Sequence, residues 1–109
     1  MNYSVIRTVA TAAALLLVLS PAAVLAADGE KLYQTKTCFT CHGKDGKKTL
    51  LPMYPKIAGQ NQAYTLQQMK DIKSGARSNG QSAAMKGVMG LVSEEEMQAL
   101  SEYIATMAP

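Results

Sequence analysis

The five residues Cys38-Phe39-Thr40-Cys41-His42 restrict this chain more than any other stretch of it. Two thiols lie three positions apart, so on a helical turn both sulfurs point to one side. The imidazole of His42 follows directly and is presented from that same side.

Four chemistries use such thiols. A redox dithiol of the thioredoxin kind sits after a strand in a βαβ pattern, and no strand-like alternation precedes Cys38. A structural zinc site needs four ligands, whereas the chain has 2 Cys and 1 His, all inside the motif. A plain disulfide would leave His42 unaccounted for. Covalent haem accounts for all three side chains: Cys38 and Cys41 form thioethers to the two vinyl groups of one haem, and His42 reaches its iron. Cys-x-x-Cys-His is the signature of c-type haem attachment.

The first 26 residues have a different character. Arg7 is their only basic side chain, Val9 to Leu19 form an apolar run, and Ser20-Pro21 breaks it. Small residues at Val24 and Ala26 suit a signal peptidase cutting after Ala26, with Ala27 as the neighbouring alternative. The apolar run is short of the roughly 20 residues of a spanning helix, which argues against an uncleaved anchor. The expected organisation is a cleaved export signal at 1–26, a mature domain at 27–109, and a periplasmic location without a stable membrane span.

Removal of that signal leaves 83 residues with 10 basic and 8 acidic side chains. This balance is nearly neutral and gives no support for nucleic-acid binding, which calls for a strongly basic face. One domain is expected, with a thin core that a covalently held group would help to staple.

Asp28 is a good N-cap, and a first helix is expected from there toward Thr37. Residues 43–61 are punctuated by Gly43, Gly46, Pro52, Pro55 and Gly59 and read as loop. Leu66, Met69 and Ile72 mark a second helix over 62–73, closed by Gly75. The segment 77–92 has no clean period and is expected to be a structured loop. Ser93-Glu94-Glu95-Glu96 is a capping box with its carboxylates at the positive end of a helix dipole, and Met97, Leu100 and Ile104 give that helix its buried stripe. The mature domain is expected to be all-α.

With the cysteine motif after one helix and a capped helix at the end, the chain resembles the class I cytochromes c. It is most similar to the small bacterial periplasmic monohaem type, through Pro52-Met53-Tyr54-Pro55-Lys56-Ile57-Ala58-Gly59-Gln60 and Ile72-Lys73-Ser74-Gly75. The resemblance implies that a few helices wrap one covalent haem c. It also implies that Gly29 and Tyr33 of the first helix pack against Leu100 and Tyr103 of the last. It implies further that a proline carbonyl, matched here by Pro52, accepts a hydrogen bond from the far nitrogen of His42 and makes the imidazole a better donor to iron.

The same resemblance implies a methionine sulfur as the second axial ligand, which raises the reduction potential. Met69 and Met97 fall on apolar helix stripes, Met107 lies at a chain end, and Met53 follows the supporting proline. Met85 and Met89 remain. The family pattern places the ligand eight residues before the serine that caps the last helix, as in Met85-Lys86-Gly87, so Met85 is expected and Met89 is the alternative. Arg77 and Asn79 are candidates for a haem propionate.

Filled axial positions leave no coordination site for substrate, so the implied role is electron carriage and not catalysis. Two other settings stay open: a cytochrome subunit of a larger periplasmic dehydrogenase, or a haem enzyme or sensor with a labile sixth ligand. Lys44, Lys47, Lys48, Lys56 and Lys86 flank the motif and the methionine segment, and would steer redox partner proteins with acidic docking faces. A monomer or weak oligomer is expected.

Overall fold

The computed structural model describes residues 13–15 and 27–109. The proposed export signal and its cleavage site lie almost wholly outside the described residues. Helices α1 (Gly29–Thr35), α2 (Cys38–His42), α3 (Gln62–Ser74), α4 (Ser82–Met89) and α5 (Glu94–Thr106) follow in order, with no strand among the described residues. No described helix is long and apolar enough to cross a membrane.

Helix α1 begins where Asp28 accepts from the Lys31 N–H at 3.1 Å. It crosses α5 at Gly29, where any Cβ would lie 2.3 Å from the Ala99 carbonyl oxygen and 2.7 Å from Tyr103 Cβ. Only a glycine permits that approach. One turn on, the Tyr33 ring meets the Tyr103 ring edge-on with centroids 5.6 Å apart, and Tyr33 is fully buried. The expected pairing of Gly29 and Tyr33 with Leu100 and Tyr103 is therefore present, with Leu100 in the same core.

Helix α5 is closed at its start by both halves of the capping box: Glu96 N–H donates to Ser93 Oγ at 3.2 Å, and Ser93 N–H to Glu96 Oε1 at 3.0 Å. That backbone donor holds the Glu96 carboxyl below its ordinary range. The buried stripe of α5 (Met97, Leu100, Ile104) packs with Met69 and Ile72 of α3 and Met89 of α4 around Tyr33 and Val92. Met107, expected at a loose end, packs against this core as well.

The segment 77–92 departs from expectation, because residues 82–89 form helix α4. Its boundaries are weakly signalled in sequence: Gln81 makes no side-chain cap, and Gly87 interrupts the helix-favouring run Ala83 to Lys86. Tertiary contacts supply what the missing cap does not. Met89 is buried against the core, and the carbonyls leaving the helix are taken by two ammonium groups from other elements. Lys36 donates to the Leu91 carbonyl at 2.8 Å, and Lys73 donates to the Val92 carbonyl. Lys36 also pairs with Glu96 at 3.3 Å, tying the exit of α4 to the cap of α5.

Candidate haem site

Helix α2 is a single turn, and its direction is set by Thr37, a non-glycine residue at φ 63°. That left-handed residue turns the chain sharply out of α1, so that Cys38, Cys41 and His42 all face one cavity of about 350 Å³. Both thiols are free and half-buried. Burial pushes the Cys38 thiol up to about 11, in the direction opposite to an activated redox thiol. Among the described residues no three His, Cys, Asp or Glu side chains stand together as ligands for a metal ion.

His42 is buried, and its Nδ1 lies 2.8 Å from the carbonyl oxygen of Pro55. A carbonyl can only accept, so this bond places the proton on Nδ1 and leaves the lone pair of Nε2 free to bind a metal. Burial lowers the pKa of His42, against the raising effect of Pro55, which also favours the neutral ring.

The acceptor is Pro55 and not the expected Pro52. Leu51 to Tyr54 form a turn closed by Tyr54 N–H to the Leu51 carbonyl at 3.0 Å, with Pro52 exposed at its second position. The turn carries Pro52 outward and returns the chain at Pro55. A proline after an apolar residue and three before another proline is a turn signal, and that signal was the available clue that Pro52 faces solvent.

The rest of the cavity wall is largely apolar. Ile57, Met69, Ile72, Val88, Leu100 and Ile104 line it, together with Met53, Met85 and Met89. Arg77 and Asn79, the expected propionate partners, also reach it, although Arg77 already donates to Gln68 Oε1 at 2.9 Å. Tyr54, Gln60 and Tyr64 line it too, Tyr64 being a residue the sequence did not mark. Met85 and Met89 are one turn apart on α4, so both side chains fall on its cavity face. Their surroundings differ: Met89 is buried in the core, and Met85 is half-exposed on the cavity side of it.

A flat, mostly apolar macrocycle with two vinyl groups, a metal and two carboxylates fits this donor set. Two free thiols, a neutral imidazole with an open nitrogen, apolar walls and a guanidinium converge on one space.

The chain matches the model of the cytochrome c family over residues 26–108. It belongs to the cytochrome c family. Its cofactor is accordingly covalently bound haem c, and Cys38 and Cys41 fit the Cys-x-x-Cys-His attachment motif. Cytochrome c4 of Stutzerimonas stutzeri is 38% identical over 88 residues, which are 73% of this chain and 42% of that protein. A protein named thiosulfate dehydrogenase electron acceptor from the same species is 35% identical over 89 residues, 75% of this chain and 40% of that protein. Among solved structures, reduced recombinant cytochrome c4 from Pseudomonas stutzeri superposes with a TM-score of 0.66 at 35% identity, covering 73% of this chain and 46% of that one. The all-α class I cytochrome c fold is thus established. The chain spans less than half the length of each of these relatives.

Proposed function

We propose that this chain is a periplasmic one-electron carrier whose iron is held between His42 and Met85. The observation that carries this is the cavity in which His42, its Nε2 left free by the bond to Pro55, and Met85 line the same apolar space. Bound haem c supplies a reversible one-electron couple there. The Pro55 carbonyl orients the imidazole and strengthens it as a donor, and a thioether opposite raises the potential. The apolar walls keep water away and resist rearrangement between oxidation states. With protein ligands on both sides no position is open to substrate, which supports a carrier role over an enzymatic one.

Met85 is favoured over Met89 on two grounds. Met89 already fills a core position, while Met85 leaves part of its side chain toward the cavity, where a bound group would cover it. Met85 also has the family spacing of eight residues to Ser93. The test is to replace each by alanine and record the sulfur-to-iron charge-transfer band of the ferric protein. Loss in Met85→Ala with retention in Met89→Ala is expected, and the reverse pattern would overturn the assignment.

The relative named as an electron acceptor of thiosulfate dehydrogenase favours a second setting for the same chemistry, in which this chain takes electrons from a periplasmic dehydrogenase. Co-purification with, or reduction by, such an enzyme distinguishes a dedicated acceptor from a general carrier.

A further inference from the structure

The phenol of Tyr33 is buried between α1, α5 and the turn that follows His42, and its hydroxyl donates to the Gly43 carbonyl at 2.7 Å. Packing alone would be met by a phenylalanine. Burial raises the pKa of this phenol, so it stays protonated and a hydrogen-bond donor at neutral pH.

The carbonyl it holds belongs to the residue directly after His42. Gly43 sits at φ 84°, ends α2 with its N–H on the Phe39 carbonyl at 2.9 Å, and leaves no room for a side chain beside the Lys48 carbonyl. From Gly43 the chain turns to Gly46, whose N–H reaches back to the Gly43 carbonyl at a longer 3.2 Å. The Gly46 carbonyl then accepts from Ile57 N–H at 2.9 Å and Ala58 N–H at 3.2 Å. Ile57 is two residues beyond Pro55, whose carbonyl receives His42 Nδ1. These bonds close a circuit from Tyr33 through Gly43, Gly46 and Ile57 to Pro55 and back to His42.

We propose that the Tyr33 hydroxyl is a positioning group for the axial histidine: by fixing the Gly43 carbonyl it holds the 43–46 turn, and through it the Pro55 carbonyl, in register with His42 Nδ1. The inference rests on His42 being an iron ligand. It assigns Tyr33 a role in setting the donor strength of that ligand, in addition to its place in the α1–α5 crossing.

Tyr33→Phe in the haem-loaded protein removes the hydroxyl and keeps the ring. The decisive measurement is solvent exchange of the His42 Nδ1 proton, followed by NMR in the ferrous state. An acceleration of about fivefold, the size of one lost hydrogen bond, is expected. The reduction potential should rise, because a weaker bond to Pro55 makes the imidazole a poorer donor. Tyr103→Leu serves as the comparison: it removes the edge-on ring contact and lowers Tm, but leaves the hydroxyl in place and should leave the exchange rate unchanged.

An exchange rate unchanged in Tyr33→Phe, or accelerated equally in Tyr103→Leu, overturns the inference and reduces Tyr33 to a packing residue. Ligation is read separately from the wild-type ferric spectrum. His42 ring protons without a large paramagnetic shift would refute the axial role itself, and the positioning role with it.

Discussion

His42 Nδ1 and the carbonyl oxygen of Pro55 lie 2.8 Å apart, thirteen residues apart in sequence, across the turn that exposes Pro52. This one bond fixes the tautomer of the candidate iron ligand, and it identifies which of two prolines matters. Pro52→Ala should leave the exchange of the His42 Nδ1 proton and the reduction potential at wild-type values. Pro55→Ala, which frees the backbone of the accepting residue, should accelerate exchange and raise the potential. Proton NMR and a redox titration check both.

Met89 is a core residue on its cavity face, and truncating it should act mainly on stability. Met89→Ala is expected to cost about 2–5 kcal/mol while the ferric charge-transfer band persists. Chemical denaturation with the spectrum recorded alongside separates the two effects.

Gly29→Ala introduces a methyl group 2.3 Å from the Ala99 carbonyl oxygen, against backbone that cannot rotate away. A loss of about 1–3 kcal/mol or more is expected from forcing α1 and α5 apart. Thermal unfolding measures it, and an unchanged Tm would show that the crossing yields without strain.

Asp45 Oδ1 accepts from the N–H groups of Lys47 and Lys48, both at 2.9 Å, and the Lys48 and then the Lys47 donor hold its carboxyl below the ordinary range. A carboxylate with a depressed folded-state pKa contributes stability that is complete above its unfolded pKa and disappears as pH falls through the folded one. Wild type should therefore exceed Asp45→Asn in Tm at neutral pH, with the difference closing in acid below the normal carboxylate range. A difference in Tm that does not change with pH would show that the ionised carboxylate contributes nothing to the 43–48 loop.

Lys44, Lys48, Lys56 and Lys86 are exposed, and Lys47 is half-buried. If these lysines steer an acidic partner, the bimolecular electron-transfer rate falls steeply as ionic strength rises, since screening lengths shrink to about 10 Å at 0.1 M salt. Stopped-flow rates across a salt series test this, and a flat profile would exclude a lysine docking face.

Much of this protein is written locally. The spacing of Cys38, Cys41 and His42 determines what the site can hold, because three reactive groups within one turn need no distant partner to share a face. The caps Asp28 and Ser93, and the apolar stripe from Met97 to Ile104, likewise specify α1 and α5 through bonds and periods a few residues long.

Tertiary structure decided the rest. Helix α4 has no side-chain cap and a glycine inside it, and it is held by the burial of Met89 and by Lys36 and Lys73, distant in sequence, which take the carbonyls after it. Sequence could bring the sulfur ligand to Met85 or Met89 but saw no helix that sets them one turn apart on a shared face. It could bring the His42 acceptor to a proline, yet the choice between Pro52 and Pro55 depends on the path of a turn. A hydrogen bond across thirteen residues depends on where both ends lie in space, and only packing determines that.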